Sequence, residues 1–185
     1  QSGESYTFTN VTADQSISVS FKLKQYTITA SSGTGGSISP LGANIVMPGS
    51  NHTYTISANT GYEIDEVLVN GSAVTQSGES YTFTNVTADQ SISVSFKQKQ
   101  YIIISSSETG GSINPLGASS VAHGENKTYT ISANVGYEID EVLVNGNAVA
   151  QSGESYTLTN VTADQSISVS FKEIRIFNHN LENII

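Results

Sequence analysis

Residues 91–96 read SISVSF, a stretch in which three serines alternate with Ile92, Val94 and Phe96. Successive side chains of a β-strand point to opposite faces of its sheet, so this alternation predicts a strand with one face toward water and one toward a core. No segment shows the spacing of an amphipathic helix. The sequence therefore predicts an all-β fold. The same period of two recurs at Tyr26, Ile28, Ala30, Tyr54, Ile56, Ala58, Tyr81 and Phe83.

The SISVSF strand closes a segment that occurs three times. Residues 76–97, QSGESYTFTNVTADQSISVSFK, recur unchanged at 1–22 and with a single change at 151–172. The stretches 23–97 and 98–172 differ from each other at only 16 of 75 positions. Self-similarity at a fixed period is the signature of a tandem repeat, so the chain holds two complete units.

These repeats define the domains that we expect. The strand and turn signals of each unit predict a small antiparallel β-sandwich-like domain with about six or seven short strands. The chain begins with Gln1 and with the end of a repeat, so we expect it to derive from a longer protein. A circular offset of the folding unit, with domains 1–75 and 76–150, fits the same period. The expected segments are the C-terminal part of a preceding repeat at 1–22, a first repeat at 23–97, a second repeat at 98–172, and a tail at 173–185 that offers an added strand.

Residues 62–70, YEIDEVLVN, predict two details of the strand that they form. The apolar residues before Asp65 share one parity and those after Glu66 share the other, and a β-bulge between the two sets would reconcile them. Asn70 and Gly71 then follow, the pair preferred in two-residue type I′ turns because both central positions need positive φ. We therefore expect a bulged strand that continues into a tight hairpin.

Composition and charge exclude two classes of partner. The chain carries 7 Lys and Arg against 16 Asp and Glu, whereas a nucleic-acid partner would need clustered basic residues. No run approaches the roughly 18 apolar residues of a membrane-spanning helix, so we expect no membrane insertion.

Hydrophobic residues make up 37%, charged residues 12%, and Cys is absent, which is typical of β-rich secreted proteins. We therefore expect an extracellular or cell-surface location.

The order of motifs within each unit resembles a known family. YTITASSGTGGSISPLG is followed by HTYTISANTGYEIDEVLVNG and then by SYTFTNVTADQSISVSF. This order is similar to that of the divergent internalin-B-type repeat, also called a bacterial repeat domain, which occurs in strings on microbial surface proteins. The resemblance spans 23–172 as two copies and 1–22 as a partial copy. It implies a stalk, spacer or adhesive module with no catalytic residues.

The histidines do not form the pattern of a catalytic or zinc site. His52, His123 and His179 are the three in the chain, and His52 corresponds to Lys127 and His123 to Pro48 in the other unit. A catalytic triad needs a base held beside its nucleophile, and zinc needs about four converging ligands. We therefore predict solvated loop or tail histidines, no enzymatic activity and no cofactor.

Acidic residues cluster in the YEIDEV segment of both units. Calcium takes about six to eight oxygen ligands, whereas side chains at strand spacing point to both faces, and no loop of the DxDxDG type is present. We expect a solvated acidic face that keeps a sheet edge soluble, with calcium binding as the alternative. The candidate ligands are Glu63, Asp65, Glu66, Glu138, Asp140 and Glu141.

One difference between the units predicts a buried interface. Two outward threonines of the first unit become Ile102 and Ile104, which makes a strand apolar on both faces. We expect this outer face to pack on the neighbouring unit, on the tail or on another chain.

The half repeat at 1–22 also needs a partner, because an isolated hairpin is marginal in water. Together with Ile174 and Ile176 of the tail, it predicts head-to-tail self-association into a filament.

The predicted function is mechanical. Short connections between units, such as Leu23-Lys24-Gln25, leave little slack, which favours a non-enzymatic stalk or spacer. The alternative is an adhesin-type module that recognises a surface glycan or protein. Six of the 16 differences between the units fall in the predicted loops 41–52 and 116–127, and loops commonly carry binding residues.

Overall fold

A computed structural model describes residues 5–75, 78–150 and 153–175 of the chain. These residues form sixteen strands and no helix, which confirms the predicted all-β tandem repeat. In the described part of the chain there is accordingly no helix of the length and apolarity that crossing a membrane requires. Each unit has eight strands, slightly more than predicted, because a strand at 42–46, and its equivalent at 117–122, lies where the sequence predicted a loop.

The strand boundaries repeat from one unit to the next. Those of the first unit are β1 Tyr26–Ser32, β2 Gly36–Ser39, β3 Gly42–Val46, β4 His52–Ala58, β5 Tyr62–Val69, β6 Ser72–Ala73, β7 Ser80–Phe83 and β8 Gln90–Gln98. Those of the second unit are β9 Gln100–Ser107, β10 Gly111–Asn114, β11 Gly117–Ala122, β12 Lys127–Ala133, β13 Tyr137–Val144, β14 Asn147–Ala148, β15 Ser155–Leu158 and β16 Gln165–Glu173.

Each unit consists of one five-stranded and one three-stranded sheet. The orders are β3-β1-β8-β5-β6 and β2-β4-β7 in the first unit, and β11-β9-β16-β13-β14 and β10-β12-β15 in the second. One pairing departs from the predicted antiparallel arrangement, because β8 lies parallel to β1, with Ile28 opposite Gln90. The closing strand of each unit is therefore the centre of its larger sheet. Residues 5–25 contain no strand.

The core of each unit lies between its two sheets. In the first unit, Ile28 and Ile92 of the larger sheet and Tyr54 and Ile56 of the smaller sheet are completely buried. The predicted alternation at 91–96 is confirmed, because Ile92 and Val94 are buried and the serines at 91 and 95 are exposed. The second unit has a separate core with the same pattern.

The predicted bulge and turn are confirmed. The pairing of β5 with β8 shifts register between Ile64 and Glu66, as the change of parity required. Asn70 and Gly71 have φ values of 51° and 79°, and the Asn70 Oδ1 accepts a hydrogen bond of 2.8 Å from the backbone N–H of Ser91. The asparagine side chain thus fixes the hairpin to the central strand β8.

A buried tyrosine differs between the two units in its hydrogen bonding. On β12 the Tyr129 hydroxyl lies 2.9 Å from the Ser119 Oγ. On β4 the Tyr54 hydroxyl is buried without a hydrogen-bond partner among the described residues. The residue equivalent to Ser119 is Asn44, whose side-chain amide donates instead to the Gly42 carbonyl at 2.9 Å. Burial raises the pKa of Tyr54, and the neighbouring Asn44 side chain opposes this shift only in part.

We predict different effects when each tyrosine is replaced by phenylalanine. Tyr54→Phe removes a desolvated, unpaired hydroxyl, so the free energy of unfolding should stay unchanged or rise by up to about 1 kcal/mol. Tyr129→Phe leaves Ser119 without its partner and should lower this free energy by about 1 kcal/mol. Native-state amide exchange, which resolves the stability of each unit, would measure both. Equal effects of the two substitutions would contradict the prediction.

Tyr54 also predicts a dependence of stability on alkaline pH. Its folded pKa is raised above the unfolded value, so its contribution to stability is fully present below about pH 10 and is lost as the pH rises through the folded value. Tyr54→Phe should therefore weaken the alkaline loss of stability of the first unit. An unchanged pH profile in this variant would contradict the assignment.

Candidate functional site

The connection between the two units is a single residue that is bonded on both sides. Strand β8 ends at Gln98 and β9 begins at Gln100, so only Lys99 lies between them. The Lys99 N–H donates to the Gly61 carbonyl of the first unit at 2.8 Å. The Lys99 carbonyl accepts from the His123 N–H of the second unit at 2.9 Å. The linker backbone is therefore held by both units.

His123 packs across this connection onto Gly61. It follows β11, and its Nδ1 lies 3.2 Å from the Tyr101 hydroxyl. The Gln98 side chain donates to the His123 carbonyl at 2.9 Å. A Cβ built on Gly61 would overlap the His123 ring, and Gly61 has a φ of 80°. Gly61 is buried, whereas its equivalent Gly136 is exposed. The second unit therefore covers the surface around Gly61, while the equivalent surface around its own Gly136 is open to solvent.

A groove of about 540 Å³ opens beside this contact. Two tyrosines, Tyr62 and Tyr101, line it together with the charged side chains of Glu79 and Lys99. Its volume lies in the range of small-ligand pockets, and its lining offers both aromatic faces and hydrogen-bonding groups. This groove is a candidate for a ligand site at the junction.

The two described histidines are less exposed than the sequence predicted. His52 is on strand β4 with its Nε2 buried, and its ring packs edge-on against Tyr54 with a centroid distance of 5.0 Å. His123 is half-buried at the junction. The prediction of solvated loop histidines is therefore wrong for His52, which lies in a strand, and for His123 it holds as to the turn but not as to full solvation, because the ring packs beside Gly61. His179 lies outside the described residues.

Lysines lie between the acidic residues that were candidate calcium ligands. The Lys97 Nζ is 3.6 Å from the Glu63 Oε1 and 3.5 Å from the Asp65 Oδ1. Beyond the bulge, Glu66 pairs with Ser95, so the three carboxylates do not converge. No group of three metal-ligating side chains occurs in the part of the chain that the structure describes. Calcium binding stays a prediction, and it would require the ammonium group to move away.

The second unit repeats this arrangement. The Lys172 Nζ lies 3.5 Å from the Glu138 Oε1 and 3.3 Å from the Asp140 Oδ1, and Glu141 lies beyond the equivalent bulge. The hydrogen bond with Asp140 and then the charge of Glu138 raise the pKa of Lys172. All of these groups are largely exposed, so the ion pairs add little to stability.

The predicted interface residues are not brought together. Ile102 and Ile104 lie on the outer face of β9 and are 42% and 58% exposed. Ile174 follows β16 at the opposite end of the sheet, because β16 runs parallel to β9 with Gln165 opposite Ile103. Ile176 lies outside the described residues. An interface at these residues stays a prediction.

About half of each predicted binding loop is strand. Strand β3 lies within 41–52 and β11 lies within 116–127, where each pairs with the first strand of its unit. The loop assignment is therefore wrong for about half of each stretch. One difference that had suggested ligand binding, Pro48 to His123, coincides with the packing of His123 on Gly61.

A family model agrees with the tandem repeat of the chain. A family model described as the divergent InlB B-repeat domain matches residues 26–100 and again 101–175. A crystal structure of the I9–I11 tandem from titin is 10% identical, with 80% of this chain and 64% of that chain covered and a TM-score of 0.17. The chain thus spans 64% of the length of that tandem, and so low a TM-score supports no conclusion about fold. No curated protein matches the chain.

Proposed function

Because the chain belongs to the divergent InlB B-repeat family, with two copies in tandem, we propose that it is a non-enzymatic spacer or stalk at a bacterial cell surface. Repeats of this family are surface-associated in bacteria and typically have no enzymatic activity, which supports an extracellular location. In this role the chain keeps whatever it carries at a set distance from its anchor.

The contacts at the junction between the two units support this proposal. A flexible spacer would show a linker free of contacts, whereas Lys99 is hydrogen-bonded through its N–H to one unit and through its carbonyl to the other. His123 adds a side-chain contact that fixes the second unit against Gly61. Two rigid units joined by a bonded linker resist bending, and resistance to bending is what a stalk needs.

Distance measurements between the units would test this stiffness. The chain has no Cys, so spin labels at Thr34→Cys and Thr109→Cys would place one probe on an exposed turn of each unit. We expect a single narrow distance distribution. Insertion of Gly-Ser-Gly after Gln98 should broaden it, because the linker then loses its bonds to both units. A broad distribution in the parent chain would contradict the spacer.

The alternative proposal is an adhesin that binds a surface glycan or protein. The junction groove favours it, because aromatic rings and charged groups meet there in a space of suitable size. Saturable binding on a glycan array, lost on Tyr62→Ala but retained with Tyr137→Ala at the equivalent position of the second unit, would support adhesion. Absence of binding, together with a narrow distance distribution, would favour the spacer.

Self-association is a further part of the proposal. The half repeat in residues 5–22 exposes apolar side chains that a complete unit would bury, and the residues Ile102, Ile104 and Ile174 are also exposed. Copies joined head to tail would extend the stalk without any new fold. Mass measurement across a dilution series would detect such association, and a monomer at all concentrations would contradict it.

A further inference from the structure

The first and last strands of each unit lie side by side and run in the same direction. In the first unit, β1 and β8 pair in parallel, with residues 28–32 opposite residues 90–94. In the second unit, β9 and β16 pair in the same way, with residues 103–107 opposite residues 165–169. The chain therefore enters each unit through one strand of this pair and leaves it through the other.

The parallel direction determines how tension along the chain acts on the pair. Tension pulls β1 at its N-terminal end and β8 at its C-terminal end, which are opposite ends of a parallel pair. The two strands are then pulled past each other along their length. Because the hydrogen bonds of the pair run between the strands, they resist this sliding together. An antiparallel pair would have both pulled ends on the same side, and its hydrogen bonds would break one after another.

Further hydrogen bonds lie at both ends of the β1–β8 pair. Where tension enters β1, the Thr27 N–H donates to the Asp89 Oδ1 at 2.8 Å. At the other end, the Gly33 N–H donates to the Val94 carbonyl at 2.8 Å. The second unit has the equivalent bonds at both ends of the β9–β16 pair. Each pair is therefore bonded beyond the residues that lie opposite each other in the sheet.

The core opposes sliding as well. Ile28 and Ala30 of β1 and Ile92 and Val94 of β8 are each no more than 3% exposed. Successive side chains of a strand point to opposite faces, so a slip by one residue would turn these apolar side chains out of the core. The buried face also keeps water from replacing the hydrogen bonds from that side. Sliding therefore costs both hydrogen bonds and apolar burial.

Tension passes from the first unit to the second through one residue. Strand β8 is the last strand of the first pair and β9 is the first strand of the second pair, and only Lys99 lies between them. A force that leaves the first pair therefore enters the second pair directly. The two pairs lie in series along the chain, so both carry the same tension.

We propose that the β1–β8 and β9–β16 pairs are mechanical clamps, which allow the chain to carry tension along its length without unfolding. This inference rests on the proposed stalk, because a stalk is pulled when the cell and whatever the stalk carries move apart. It goes beyond stiffness, which comes from the junction, whereas resistance to tension comes from within each unit. Forced unfolding is governed by the rate of unfolding and not by equilibrium stability, so the direction of pulling decides the force.

Single-molecule stretching in two directions would test the clamp of the first unit. The chain has no Cys, so handles at Gln25→Cys with Lys99→Cys would pull on opposite ends of the β1–β8 pair. Handles at Gln25→Cys with Ala88→Cys would pull on the same end, because Asp89 lies beside Thr27. We expect an unfolding force about threefold higher in the first direction, since the bonds then resist together. In both directions, unfolding of the unit should lengthen the chain by about 200 Å.

The second unit provides an independent repeat of this test. Lys99→Cys with Ile174→Cys would pull on opposite ends of the β9–β16 pair, because Ile174 follows β16. Lys99→Cys with Ala163→Cys would pull on the same end, since Ala163 is the equivalent of Ala88. The same ratio of forces is expected. Equal unfolding forces in the two directions would overturn the clamp.

Two substitutions distinguish the clamp from ordinary stability. Asp89→Ala removes the acceptor at the pulled end of β1, so it should lower the unfolding force when opposite ends are pulled. Asn51→Ala removes the acceptor of a 2.9 Å hydrogen bond from the Asn85 N–H, which lies outside the β1–β8 pair. It should lower the urea midpoint of the first unit but leave the force unchanged. The same loss of force in both variants would contradict the clamp.

The spin-label distance separates failure of the clamp from failure of the stalk. A narrow distance between the units together with equal forces would overturn the clamp and leave the stiff spacer intact. A broad distance together with unequal forces would contradict the stiff spacer, while the clamp within each unit would be supported.

Discussion

Gly36→Ala is expected to lower the free energy of unfolding of the first unit by about 3 kcal/mol. Gly36 begins β2, and a Cβ at this position would overlap the Phe96 ring and lie 2.6 Å from the Ser57 carbonyl oxygen. The phenyl ring is half-buried and packs against the core, and the Ser57 carbonyl belongs to the backbone of β4, which pairs with β2, so the carbonyl cannot move without disturbing the smaller sheet. Amide exchange of the first unit, or its urea midpoint, would measure the loss.

Gly33→Ala is the matched control for this substitution. A Cβ on Gly33 would lie 3.6 Å from the nearest atom, the Val94 carbonyl oxygen, which is ordinary contact. Neither Gly33 nor Gly36 has a positive φ, so backbone conformation does not distinguish them. The control should change stability by no more than about 0.5 kcal/mol. Similar losses in the two variants would contradict the account of the core at Phe96.

Local features of the fold could be predicted from the sequence because adjacent residues determine them. The alternation in 91–96 specified which side chains of β8 are buried, and the change of parity near Asp65 specified the bulge. The Asn70-Gly71 pair specified the turn. Each of these depends on one strand or one turn and not on which strand lies beside it.

Features that depend on distant pairing were missed. Alternation gives the buried face of a strand but not its neighbour, so the parallel contact of β1 with β8 could not be predicted. The sequence around β3 favours a loop because Gly42 and Pro48 punctuate it, and its pairing with β1 is visible only in the sheet. Alternation also does not show that Glu63 lies directly opposite Lys97.

The junction was the feature least accessible to sequence reasoning. The contact of Gly61 with His123 depends on how the two units are placed relative to each other. The signal was present in the change from Pro48 to His123 between otherwise similar turns. Its meaning depended on the position of Gly61, which lies 62 residues earlier in the chain and is not marked by any motif.

Gly61→Ala should both destabilise the chain and free its two units from each other. The positive φ of Gly61 costs an alanine about 1 to 2 kcal/mol, and the overlap with His123 adds a comparable loss, about 3 kcal/mol in total. Gly136→Ala is the matched control, because Gly136 has nearly the same φ of 85° and no atom within 4 Å of an added Cβ. Gly136→Ala should therefore destabilise the chain only by the backbone cost of the positive φ, about 1 to 2 kcal/mol.

The distance between spin labels at Thr34→Cys and Thr109→Cys distinguishes the overlap with His123 from the backbone cost of the positive φ. Gly61→Ala should broaden the distance distribution, whereas Gly136→Ala should leave it narrow, because only Gly61 lies beneath His123. His123→Ala removes the ring, so the double variant with Gly61→Ala should recover most of the steric loss and none of the backbone cost. If the two glycine variants gave equal losses and equal widths, the contact between His123 and Gly61 would have no part in stiffness, and the bonds of Lys99 alone would have to hold the units in line.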